Sequence, residues 1–198
     1  MNTPRIVVAA CAAATLAAAC ANVPVRDVAP VPWPQRRAAL QADDEFALNG
    51  RVAIDAPGAG VNASLRWRQA GEETHVSLDG PLGVGGAEVD LRGGQFDLRT
   101  SRGEHLAGDA ARAELERRVG FALPLEALRY WVRGVPRPGL PAEETLDAAR
   151  QRLARLAQEG WVIDYTAWFD GAGGDLPRRL TATRGDTRVR LVVDRWTP

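Results

Sequence analysis

The chain has no lysine, one methionine, two histidines and two cysteines among its 198 residues. Each scarcity excludes something. Cys11 and Cys20 both fall near the start, so beyond them no thiol remains for a disulfide, a metal site or a nucleophile. His75 and His105 stand in separate segments without any neighbouring ligand pattern. Neither Gly-x-Ser-x-Gly nor His-Glu-x-x-His occurs, so the usual hydrolase and zinc-protease signatures are missing. The acidic pairs Asp43-Asp44, Glu72-Glu73 and Glu143-Glu144 are adjacent in sequence and read as solvated positions. The glycine run Gly80–Gly86 lacks a following Lys-Ser/Thr and opens a strand, not a helix, which argues against a phosphate loop. With 25 basic and 25 acidic residues, the chain carries no electrostatic footprint for nucleic acid. No enzymatic activity, metal or cofactor is expected.

What is present begins at the N-terminus. Arg5 precedes an apolar run from Ile6 to Ala19, 14 residues long, shorter than the ~20 that a membrane-spanning helix needs. Small residues and Cys20 follow. This is the layout of an exported chain, and Leu16-Ala17-Ala18-Ala19-Cys20 resembles a bacterial lipobox, in which the cysteine is lipidated and becomes the first mature residue. The usual leucine lies three residues before the cysteine, whereas Leu16 lies four before it. The other reading is an ordinary secretory signal with an incidental cysteine. Residues 1–19 are therefore expected to be a lipoprotein signal peptide and Cys20 the lipidated residue. Residues 20–45 are read as a lipidated terminus, a Pro-rich linker and a short polar helix over 35–45. Within that stretch Pro24, Pro30, Pro32 and Pro34 favour an extended spacer, and Trp33 is placed to dock on the domain.

From Phe46 onward the pattern has period two. Val61, Ala63, Leu65 and Trp67 alternate with Asn62, Ser64, Arg66 and Arg68, the mark of a strand with one buried face. Similar runs at 46–55, 74–79, 86–92 and 95–99, split by glycine turns, predict an antiparallel meander. Two helices follow: one with Asp109 as N-cap and Gly120 past its end, the other opening at Pro124 and stopped at Gly134. Residues 146–158 have leucines at helical spacing yet run into the strand-like Trp161–Trp168, so helix and strand both remain open there. Strands close the chain near 178–184 and 187–196. The order suggests one large antiparallel sheet curled around something, with helices plugging its inner side.

Leu82, between Pro81 and Gly83 in a connection between strands, is poorly placed for a core. It either reaches outward to an apolar partner or membrane or folds back over the sheet edge.

Taken in order, several motifs resemble the LolB family of outer-membrane lipoprotein receptors. They are Leu48-x-Gly50-Arg51, Trp67, Pro81-Leu82-Gly83, Gly120-x-x-Leu123-Pro124-Leu125-x-x-Leu128-x-Tyr130-Trp131-x-x-Gly134, Gly160-Trp161-x-Ile163-x-Tyr165, Leu176-Pro177 and Trp196. The resemblance implies a mostly β (α+β) fold over residues 46–198: an open, incomplete antiparallel β-barrel with helices covering a hydrophobic cavity. It also implies that 152–158 is strand. The implied function is a receptor, lipid-anchored to the outer membrane on its periplasmic face, that accepts lipoproteins from the carrier LolA and inserts them into that membrane. Ala21 agrees with this placement, since an aspartate there would be the usual inner-membrane retention signal. Its partners would be LolA, lipoprotein acyl chains and outer-membrane lipid, and a monomer is expected. Pro81, Leu82 and Gly83 would form the membrane-delivery loop. The acyl-chain cavity is expected to include Leu65, Trp67, Leu78, Val89, Leu91, Trp131, Ile163, Tyr165 and Leu191, although alternation alone does not show which face is concave. Arg66, Arg68, Arg178, Arg179, Arg188 and Arg190 could meet an acidic rim on the carrier or simply be solvated. The competing readings are a lipid-binding or an envelope-assembly lipoprotein outside the sorting pathway.

Overall fold

A computed structural model describes residues 30–81, 85–169 and 176–197. Among these residues eleven strands form one sheet in the order β6-β5-β4-β3-β2-β1-β11-β10-β9-β8-β7, every neighbouring pair antiparallel. The strands β1 (Glu45–Ala56), β2 (Ala59–Ala70), β3 (Glu73–Asp79), β4 (Ala87–Arg92), β5 (Gln95–Thr100) and β6 (His105–Ala107) make the first half of the meander. The second half is β7 (Glu143–Asp147), β8 (Arg152–Gln158), β9 (Trp161–Phe169), β10 (Leu176–Arg184) and β11 (Thr187–Thr197). β11 closes back on β1 at the centre, so β6 and β7 are the two open edges. The chain crosses from one edge to the other through α2 (Gly108–Val119) and α3 (Leu125–Trp131).

The sheet has to be strongly curled. Leu91 on β4 and Ile163 on β9 border one cavity, yet six strand spacings of ~4.8 Å would hold them almost 30 Å apart in a flat sheet. A bulge between Asn49 and Gly50 helps bend the centre. At Gly50 a Cβ would lie 2.4 Å from the Val192 carbonyl oxygen, so the close approach of β11 there admits only glycine.

Two buried clusters meet under the helices. One joins Phe46, Leu48, Trp131, Leu153, Leu156, Trp161 and Ile163. The other joins Ile54, Val89, Phe96 and Leu98 with Ala111, Leu115 and Val119 of α2. Val52, Val76, Phe121 and Val189 touch both clusters.

Helix α1 (Trp33–Ala42) lies against the same body, beginning two residues earlier and ending three earlier than the 35–45 read from sequence. Pro34 fits its first turn, where no amide is needed. Trp33 is buried; its backbone N donates to Gln151 Oε1 (3.1 Å) and its Nε1 to Glu144 Oε2 (2.7 Å). Arg37 also donates to Glu144, at 2.6 Å.

Three sequence expectations need correction or completion. Asp109 is not the N-cap of α2. Pairing of β6 with β5 holds Ala107 extended and in the cap position, and Asp109 falls in the first turn, where a negative charge suits the helix dipole. Residues 152–158 are strand, as the family resemblance implied. The helical spacing of Leu153 and Leu156 arises from a register shift opposite Thr145/Leu146, which turns both side chains inward although they stand three apart. The edge strands β6 and β7 carried no recognisable pattern.

Candidate functional site

The cavity between the sheet and the two helices holds about 1240 Å³ of open space, its solvent-filled mouth included. Of the 25 described residues that border it, Thr74 alone is not hydrophobic, and none of them is charged. The sheet supplies the inward members of each alternating strand: Val52 and Ile54 from β1, Leu65 and Trp67 from β2, Val76 and Leu78 from β3, Leu180 and Ala182 from β10. The crossing segment supplies Leu115 and Val119 from α2, then Phe121, Leu123 and Pro124, then Leu125, Leu128 and Trp131 from α3. The wall's aromatic part is continuous, with the Phe121 ring tilted against Trp161 at 5.3 Å and Trp161 near Trp131 at 6.4 Å.

The end of α3 is fastened firmly. Trp131 Nε1 donates to Gln158 Oε1 at 2.8 Å. Gln158, itself buried, accepts from Arg137 N at 2.8 Å and donates to Arg137 O at 2.9 Å. Tyr165 donates to the Trp131 carbonyl at 2.8 Å, and burial pushes its phenol well above the usual range. Arg133 donates to the backbone carbonyl and to Oδ2 of Asp43 and lies over the Phe46 ring. Burial lowers its pKa against the opposing pull of Asp43. The covering helix is thus tied to β8, β9 and the α1–β1 corner by polar contacts that lie off the cavity wall.

Of the nine side chains expected from the sequence, the structure brings Leu65, Trp67, Leu78, Val89, Leu91, Trp131, Ile163 and Leu191 onto this one wall. Tyr165 does not border the cavity. It packs on Trp168 (5.5 Å between rings) with its hydroxyl committed to Trp131, because the Trp131–Gly134 turn lies across it. Sequence reasoning missed Phe121, Leu123, Leu125 and Leu128, though the quoted motif already contained three of them; it also missed Val52, Ile54 and Val76, and placed Val189 on the face of Leu191 without assigning it to the cavity. Pro81 is exposed at the end of β3, whereas Leu82 and Gly83 lie outside the described residues, as does Cys20.

Outside the cavity, titratable groups form surface pairs. His105 Nε2 faces Asp97 at 3.1 Å, and His75 Nδ1 faces Asp90 at 2.9 Å. Among the described residues no group of three or more His, Cys, Asp and Glu side chains could hold a metal ion, and no helix is long and apolar enough to cross a membrane.

A family model described as "Outer membrane lipoprotein LolB" matches residues 44–196. An outer-membrane lipoprotein LolB of Halorhodospira halophila is 34% identical over 196 residues, covering 98% of this chain and 95% of that protein. One of Alkalilimnicola ehrlichii is 36% identical over 202 residues, covering 99% and 98%. Among solved structures, a DUF1329 family protein from Desulfovibrio piger shares the fold, with a TM-score of 0.50 at 9% identity over 82% of this chain and 88% of its own.

Proposed function

The chain belongs to the LolB family of outer-membrane lipoproteins, and from that premise we propose that it receives lipoproteins from the periplasmic carrier LolA and inserts them into the outer membrane. The observation that carries this reading is the cavity: a large, almost wholly apolar space on the inner side of an unclosed sheet. One C16 chain in water forgoes about 12 kcal/mol of burial, at ~0.8 kcal/mol per CH₂. A multiply acylated protein therefore needs an apolar surface at every stage of its passage through water.

The cavity meets that need with hydrophobic contact alone. Among the described residues its wall has no charge to be desolvated and one threonine hydroxyl, so binding follows apolar area and is indifferent to cargo sequence. Release then requires only a site of larger apolar capacity, and the bilayer is one. Transfer runs down this gradient from carrier to receptor to membrane, and no residue is assigned a catalytic role. In this reading Cys20 carries the lipid anchor that holds the chain on the periplasmic face, and the loop through Pro81, Leu82 and Gly83 hands cargo to the bilayer. The protein acts as a monomer.

The test is transfer of a triacylated lipoprotein from purified LolA into lipid vesicles, comparing this protein with its Leu82→Glu variant. Uptake by both, with insertion by the wild type alone, supports receptor and loop together. Insertion by both keeps the receptor and removes the loop's role. Failure of both to take cargo overturns the reading in favour of a lipid-binding protein outside this pathway.

A further inference from the structure

Charge on the sheet's outer face, the one turned away from the cavity, is strongly uneven. Strand register places Arg66 and Arg68 of β2, Arg51 of β1, Arg188, Arg190 and Arg195 of β11 and Arg179 of β10 together on this face, all of them exposed. The same four adjacent strands present only Glu45, Asp55 and Asp194 as acids on that side. The whole chain is neutral, so this surplus of four positive charges is a local asymmetry.

Arg51 pairs with Asp194 at 3.0 Å and Arg66 with Asp79 of β3 at 2.9 Å. Arg68, Arg179, Arg188 and Arg190 have no ion pair among the described residues. Four strands at ~4.8 Å spacing, and eight residues along them at ~3.4 Å, make a patch of roughly 14 by 27 Å.

We infer that this face docks on an anionic lipid surface. Guanidinium groups bind phosphate oxygens bidentately, and a patch of this breadth meets many headgroups together. The other side chains on it, such as Asn62, Ser64, Ala53 and Thr181, are small or polar, and its largest apolar group is Val192. It therefore lacks the aromatic anchors that concentrate binding energy in a specific protein interface, which favours lipid over an acidic protein. The inference deepens the reading of a membrane-anchored receptor and rests on it for the identity of the membrane. A chain tethered at Cys20 has 13 residues to Trp33, at most ~47 Å fully extended, so its outer face stays within reach of the headgroups.

The test uses the chain from residue 20 onward with Cys20→Ala, so that no acyl anchor contributes, and sediments it with phosphatidylcholine vesicles with or without 30 mol% phosphatidylglycerol. The inference expects partition onto the anionic vesicles only, weakening steeply with added salt. The variant Arg68→Gln/Arg188→Gln/Arg190→Gln, with unchanged melting, is expected to bind about 100-fold more weakly, from the contribution of each arginine near an anionic surface. Equal binding to both vesicle types, or an unaffected variant, overturns it. So does a patch-dependent association with purified LolA without any preference between vesicles, which would make the face a protein dock. Cargo uptake from LolA, measured on the same samples, reports separately on the receptor reading.

Discussion

Tyr165 donates its hydroxyl to the carbonyl of Trp131 over 2.8 Å, which ties strand β9 to the last turn of the helix that covers the cavity. Both residues are buried, and Trp131 borders the cavity while Tyr165 does not. Replacing the tyrosine separates stability from binding. Tyr165→Phe removes one of two donors to that carbonyl, the Gly134 amide remaining at 3.0 Å, and is expected to cost about 0.5–1.5 kcal/mol, read from urea unfolding. Affinity for a fluorescent fatty acid should stay within twofold. A tenfold loss of affinity at unchanged stability would return Tyr165 to the binding wall.

Gly134 sits where the chain leaves α3. It has φ +77, and a Cβ there would lie 2.5 Å from the ring of Trp168. Gly134→Ala combines a left-handed alanine at ~1–2 kcal/mol with overpacking at ~1–3 kcal/mol, a total of about 2–5 kcal/mol. Thermal melts would show it directly, and a variant as stable as wild type would mean that the turn and the Trp168 ring do not meet as described.

Ala182 on β10 borders the cavity with a small side chain. Ala182→Phe should displace at least two CH₂ groups of a bound acyl chain, weakening binding of a fluorescent fatty acid about tenfold at ~0.8 kcal/mol per CH₂. Unchanged affinity would place the chain elsewhere.

Asp90 is nearly buried on the outer side of β4. Desolvation works to raise its pKa, but the hydrogen bond and charge of His75, with the charges of Arg92 and Arg99, outweigh it and hold the carboxyl below the ordinary value. Its folded pKa is lowered, so its contribution to stability is present above the unfolded value of ~3.9 and disappears as pH falls through the folded value. Asp90→Asn should therefore be less stable than wild type at pH 7, the difference shrinking below about pH 4. Denaturant titrations at pH 7, 4 and 3 would check this, and a difference that stays constant with pH would contradict it.

How far these features were legible depends on how local their causes are. Alternation in β2 marked Leu65 and Trp67 as one face, because a strand's two faces are written at period two. It did not mark that face as concave, since the curl depends on all eleven strands. Leu153 and Leu156 misled because a register shift, set by the partner strand β7, brings two positions of opposite parity to one face. β6 has three residues, too few for any period. Asp109 looked like a cap because the pairing that makes Ala107 the cap is not local. Tyr165 shares the inward parity of Ile163, and only the path of the Trp131–Gly134 turn separates it from the cavity. The crossing segment was named through its Leu123-Pro124-Leu125 motif, but nothing local showed that it bridges the two edges of the sheet.

The central claim is that the cavity itself receives acyl chains, and cross-linking tests it most directly. A lipoprotein carrying a diazirine midway along one acyl chain would be transferred from LolA to this protein, irradiated, and the adducts mapped by peptide mass spectrometry. The account predicts adducts on inward residues of the wall, such as Leu65, Leu78, Val89, Leu125 and Leu191, and their loss in Ala182→Phe. Adducts confined to the outer face, or a pattern indifferent to that substitution, would contradict it.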